Sequence, residues 1–174
     1  MKNTKQLTLC ALLISLALAL SYLERLIPLQ LLLPLPGVKL GLANIVTLLA
    51  LYLLGPVNAF TVLILRCILG AAFGGGMTGF LFSITGGLLA MVVMITARRM
   101  PGLSIYGVSI LGAAFHNIGQ ICMAALLMES IYVVAYLPYL LGISVVTGFL
   151  TGTACAGTLR GLYALSKPRK EVQP

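Results

Sequence analysis

The stretch Pro36–Gly55, PGVKLGLANIVTLLALYLLG, decides how the chain is read. It has the composition of a membrane span and stops at Gly55-Pro56. Yet it opens on Lys39 and carries Asn44 five residues later. Hydrocarbon penalises both groups, so each needs an address away from lipid. For Lys39 the residues leave two options: it snorkels to the interface, or it guards the mouth of a site. Asn44 either bonds a neighbouring helix or lines a pocket. Five residues turn a helix by about 140° net, so the two side chains are not expected to meet one ligand atom together.

The surroundings make a membrane reading general. The 174 residues are 60% hydrophobic and 8% charged, with mean hydropathy +1.11. A water-soluble domain of this size cannot hide so much apolar surface, which points to a polytopic membrane protein. A span needs about 20 residues, so at most about six or seven fit, with no soluble domain beside them. The net charge of +8 does not imply nucleic acid. The basic residues cluster at the ends of apolar runs, and no basic stripe with interleaved aromatics occurs. Cys10, Cys67, Cys122 and Cys155 each stand alone in an apolar run. They are expected as small buried hydrophobes, not as zinc ligands or disulfides.

Six apolar segments emerge, at about 7–27, 39–54, 57–73, 78–97, 104–128 and 138–165. Proline-rich LIPLQLLLPLPG separates the first two, and Gly55-Pro56, Gly74-Gly75-Gly76 and Arg98-Arg99 with Pro101-Gly102 punctuate the rest. Lys2 and Lys5 before Ala17-Leu18-Ala19 imitate a secretory signal, but the run continues to Ile27 and more spans follow, so an uncleaved first span is expected. Lys2 and Lys5, then Arg98-Arg99 after four spans, then Arg160, Lys167, Arg169 and Lys170 after six, fall on one side. The positive-inside rule makes that side, and both termini, cytoplasmic. The expected fold is therefore all-α, a single six-transmembrane-helix bundle over residues 1–174. Strands of a membrane barrel would alternate over about ten residues, which these runs do not. No internal repeat of the kind that marks many secondary transporters is visible.

Polar groups inside such spans are few and informative. Arg66 lies deep in LILRCILG, where it caps or pairs structurally or serves as counter-charge to an anion. In SILGAAFHNIGQI, Ser109, Gly112, Ala113, His116 and Gln120 share one helical face, with Asn117 beside it. That stripe suits ligand contact or interhelical hydrogen bonds, and no second histidine exists to complete a metal site. Phe80 and Phe82 offer flat apolar surface, while Tyr136 and Tyr139 suit an interfacial belt or a ligand's ring. Ala11, Ser15 and Ala19 recur one turn apart on the first segment, a spacing that lets another helix approach closely. Every acid is a glutamate, so no aspartate cluster for magnesium diphosphate can form. A Ser/His/Asp triad is impossible, and no P-loop is present. No enzyme activity, metal or cofactor is expected.

PGVKLGLANIVTL (Pro36–Leu48), RxxLG (Arg66–Gly70), Phe73-Gly74 and GAxxHNxGQ (Gly112–Gln120) together resemble a bacterial membrane family. It is known as Gx transporters and as heptaprenyl diphosphate synthase component I. The resemblance covers nearly the whole chain. That family is in turn similar to the substrate-binding S components of energy-coupling factor (ECF) transporters. These are six-helix proteins of the cytoplasmic membrane that bind vitamins near the outer surface, beneath the loop between helices one and two. Their first helix docks on a transmembrane coupling subunit driven by two ATPases. The resemblance implies docking through Ala11, Ser15 and Ala19, with serine a mild departure from alanine. It also implies a ligand site drawn from Lys39, Asn44, Arg66, Phe80, Phe82, His116, Asn117, Gln120 and Tyr139. The cationic groups among these suit an amphipathic anion, a flavin or a quinone or isoprenoid precursor. The alternatives are a non-catalytic membrane subunit of the prenyl synthase and an assembly factor for a membrane redox system.

Overall fold

The structure, a computed structural model, describes residues 2–26 and 41–166. Lys39, the proline-rich connection and the Lys167–Lys170 cluster lie outside the described residues. Those residues form helices and no strand. The helices are α1 (Lys2–Arg25), α2 (Asn44–Leu54), α3 (Pro56–Gly70), α4 (Gly76–Arg99), α5 (Ile105–Leu127) and α6 (Leu137–Ser166). A π-turn, Ala71–Gly75, joins α3 to α4, and a 3-10 turn, Ile131–Tyr136, leads into α6.

The punctuation works as its residue types dictate. Gly55 adopts φ 83° at the end of α2, and Pro56 opens α3 where its missing N–H costs nothing. Ser104 caps α5, its hydroxyl accepting from the Gly107 N–H at 3.3 Å. The apolar helical stretch Pro56–Arg99 runs 44 residues. Straight, it would reach about 66 Å, roughly twice a hydrocarbon core. It breaks instead at Phe73 (φ −88°, ψ 43°) and Gly74 (φ 92°, ψ 11°), the latter a conformation that glycine adopts without strain. α4 consequently folds back on α3.

Thr4–Glu24, Pro56–Arg99, Ile105–Leu127 and Ile131–Leu165 are each long and apolar enough to cross a membrane, while Asn44–Leu54 is apolar but shorter. Their outward faces carry large apolar side chains in quantity: Leu12 and Leu16 on α1, Val92 on α4, Val146, Phe149 and Leu150 on α6. That is a surface made for lipid.

α5 is the central helix of one half, packed along both α4 and α6, while α1 packs on α2 and α3. Small residues set these distances. A Cβ added at Gly119 would lie 2.8 Å from the Gly86 Cα, and one at Gly148 would lie 2.5 Å from the Ile110 Cα. Backbones approach this closely only where side chains are missing, the usual device for packing helices in lipid.

Two apolar clusters fill the interior. The larger joins Cys10, Leu13 and Ala17 of α1 to Leu48 of α2, Leu63 of α3, Met91 and Met94 of α4 and Cys155 of α6. The smaller contains Phe82, Ile121, Ala124, Val133 and Leu140. Between the clustered residues of α5, from Val108 to Ile121, lie Ser109, His116, Asn117 and Gln120. Between those of α6, from Leu140 to Cys155, lie Ser144 and Thr151. All are buried. A polar belt thus interrupts the core. Cys122 departs from the expectation for the cysteines: it is exposed, in an open apolar surface cavity that α5 forms with Leu88 and Val92 of α4.

Candidate functional site

The belt is built from five helices, α1, α2, α3, α5 and α6. Arg66 projects from α3 and is 6% exposed. Its Nη2 donates to the Asn44 Oδ1 of α2 at 3.3 Å, a long bond. Among the described residues its Nε has no hydrogen-bond partner. A glycine of α4 makes room here: a Cβ at Gly86 would stand 2.9 Å from the His116 Nδ1, while one at the adjacent Gly87 would press on the Leu63 Cδ1 at 2.6 Å and only touch the Arg66 Nη2, at an ordinary 3.5 Å. On its other side the His116 ring faces Gly41, where a Cβ would meet its Cδ2 at 3.3 Å and the Asn44 Nδ2 at 2.8 Å. The imidazole is therefore held between two glycine backbones, with Asn44 and Arg66 alongside.

Glu24 joins this group. It is buried at 3% exposure, and its Oε1 accepts from the Gly41 N–H at 2.5 Å. The last turn of α1 is thereby tied to the approach to α2. The belt holds a carboxylate as well as a guanidinium, so it is less cationic than Lys39, Arg66 and His116 imply by themselves.

Asn117 faces the other way, toward α6. Its Nδ2 donates to the Ser144 Oγ at 2.8 Å and to the Leu140 carbonyl at 3.2 Å, and Ser109 pairs with Thr151 at 2.6 Å. Among the described residues the Asn117 Oδ1 has no partner. Gln120 is fully buried one turn beyond His116.

The structure thus brings Asn44, Arg66 and His116 together and places Asn117 at the α5–α6 contact. It does not unite the aromatic candidates. Phe82 is buried in the smaller apolar cluster, Phe80 packs against the larger, and Tyr139 is 53% exposed. Two residues turn a helix by about 200°, so Phe80 and Phe82 cannot share a face. Sequence reasoning passed over Ser144 and Thr151, ordinary small polar residues in an apolar helix, and the burial of Glu24. Their only signal was polarity inside or beside a span.

Ala11, Ser15 and Ala19 lie on the side of α1 away from the buried Cys10, Leu13 and Ala17. The Ser15 hydroxyl donates to the Ala11 carbonyl at 3.0 Å, so its polarity is spent inside its own helix. The face is smooth and small.

Two water-sized voids of about 10 Å³ flank the belt. One adjoins Asn44, Ser109 and Thr151. The other adjoins Arg66, Ser21 and Ser83.

Lipid-facing helices of membrane length around a buried polar belt define a polytopic membrane protein. Residues 13–158 match the family described as heptaprenyl diphosphate synthase component I, and the chain belongs to that family. No curated protein and no solved structure matches the chain.

Proposed function

We propose that this protein is the membrane-embedded substrate-binding component of an ECF-type transporter. It captures a small amphipathic anion, vitamin- or cofactor-like, at the outer side of a bacterial cytoplasmic membrane. The observation that carries this reading is Arg66: a buried guanidinium with one long hydrogen bond and, among the described residues, an unpartnered Nε. A purely structural arginine in lipid is expected to satisfy its donors. Among the described residues this one is under-satisfied, as a counter-charge to a bound anion would be.

The rest of the reading is assembled around it. α2, although short, counts as a span, and the break at Phe73-Gly74 turns one apolar stretch into two, giving six spans. The basic residues Lys5, Arg98, Arg99 and Arg160 then share the cytoplasmic side with both termini. Asn44 and His116 lie beside Arg66 to hold the ligand's polar end. The face of Ala11, Ser15 and Ala19 docks on the coupling subunit, and two ATPases in trans supply the energy. The chain itself binds and does not catalyse. Flavins and quinone or isoprenoid precursors are the ligand classes that fit.

The description of the matched family favours a second reading, a non-catalytic membrane subunit of a prenyl synthase. Co-purification separates the two. The capture reading expects the tagged chain to bring down a coupling subunit and to retain a small anion. The subunit reading expects a soluble prenyl synthase and prenyl transfer by the complex. Preparations that retain no ligand and show no thermal shift with flavins, thiamine-like vitamins or prenyl diphosphates would overturn capture.

A further inference from the structure

We infer that the anionic end of the ligand binds at the junction of α1, α3 and α4, beside the N-terminus of α4, and that its apolar part lies in a groove between α1 and α3 open to lipid. The inference rests on the capture reading and assigns its substrate a class: a single apolar chain or ring carrying a phosphate or carboxylate.

The recess comes first. The void beside Arg66 is lined by Ser21 of α1, Gly70 of α3, and Gly75, Gly79 and Ser83 at the start of α4. Arg66 lines it, more than nine-tenths buried, with its Nε unpartnered among the described residues. Gly75 is the N-cap of the 24-residue α4, and no side chain caps that end. The helix dipole favours an anion near this end. The opposing carbonyls at the end of α3 are engaged: those of Cys67 and Ile68 accept from the Ala71 N–H, and that of Ala71 accepts from the Gly76 N–H. Among the described residues no acid lines the recess. Glu24, one turn past Ser21, is turned to the Gly41 N–H. Guanidinium and helix end therefore act on the same small space with the same sign. At about 10 Å³ it admits one oxygen, not a whole headgroup.

The groove comes second. A surface cavity of about 280 Å³ is lined by Leu18, Ala19, Ser21, Tyr22, Gly70 and Phe73. It shares Ser21 and Gly70 with the recess. At about 30 Å³ for each water-sized group, it accommodates on the order of nine heavy atoms, the first part of one chain. A ligand that seats an anionic oxygen on Arg66 has its apolar body directed past Ser21 and Gly70 into this groove.

Gly70 is the useful handle. It is helical at φ −62°, and a Cβ there would meet only the Leu18 Cδ2, at an ordinary 3.8 Å. Gly70→Val therefore folds while narrowing the passage. The test measures binding to the detergent-held full chain. The probes are a C15 prenyl phosphate, its neutral alcohol, inorganic phosphate and diacyl phosphatidylglycerol.

The prenyl phosphate should bind and raise the melting temperature. The alcohol and inorganic phosphate should bind at least about tenfold more weakly. Gly70→Val and Arg66→Met should each lose at least about tenfold in affinity for the prenyl phosphate. If Gly70→Val does not fold, Ser21→Val at the opposite lip replaces it. Unchanged affinity in the folded variants overturns the recess while leaving capture intact. Equal binding of the alcohol overturns the anion assignment. Equal competition by phosphatidylglycerol overturns the single-chain assignment in favour of a membrane lipid headgroup. Binding here without any association with a coupling subunit overturns capture but not the site. No binding of any probe overturns the recess and its ligand class and leaves capture to the test with flavins and thiamine-like vitamins.

Discussion

Replacing Arg66 by methionine should move stability and affinity in opposite directions. The Arg66→Met exchange keeps most of the side chain's length and removes its charge. In the free protein the guanidinium is 6% exposed, with one 3.3 Å bond and, among the described residues, an idle Nε. A buried charge so poorly compensated contributes little to folding, and exchanging buried ionic groups for apolar ones is often neutral or stabilising by about 1–4 kcal/mol. Against this stands the Asn44 Oδ1 left without its donor, about 1 kcal/mol or more. The net change in stability should therefore fall between neutral and stabilising. Ligand binding should suffer. A charge-assisted hydrogen bond contributes about 1.5–3 kcal/mol, which at about 1.4 kcal/mol per decade is roughly tenfold to a hundredfold in Kd. Thermal unfolding with and without an anionic ligand reads both quantities on one sample. Loss of about 3 kcal/mol or more of stability with unchanged affinity would make Arg66 a structural charge and refute the reasoning.

Other perturbations probe the rest of the account. Ala11→Trp with Ser15→Trp should leave folding intact, because both positions are exposed on the outer side of α1, and should abolish co-purification of the coupling subunit. Gly119→Leu should destabilise by about 1–3 kcal/mol or more in a thermal-shift assay, since even a Cβ there would lie 2.8 Å from the Gly86 Cα. Asn117→Ala should cost about 0.6 to 1.7 kcal/mol, the range for interhelical bonds in membranes, by removing the contacts to Ser144 and Leu140. Maleimide should label Cys122 in the folded protein and spare the buried Cys10, Cys67 and Cys155, as mass mapping would reveal.

Much of this architecture is legible in composition, because lipid imposes a crude rule: long apolar runs must be helices. Gly55-Pro56 marked the end of α2 to the residue and the start of α3 within one, since positive φ and a missing N–H have few other uses. The break near Gly74 was equally visible. The start of the first helix was not. Expected at about Leu7, it begins at Lys2, because polar residues at a membrane surface extend a helix at little cost. The stripe from Ser109 to Gln120 could be read as inward-facing from spacing alone. Its division could not. Asn117 turns to α6 while His116 turns to α4 and Gly41, and only the packing partners decide that. That Gly86 makes room for His116 and Gly87 for Leu63 depends on contacts between α3, α4 and α5, which no local pattern encodes.

The central claim is that a small anion occupies this protein. Native mass spectrometry of the purified full chain, with no ligand added, tests it most directly. The account predicts a retained small anionic molecule in the wild-type protein that is lost from folded Arg66→Met. Wild-type protein carrying no such molecule in repeated preparations, or Arg66→Met retaining it undiminished, would contradict it.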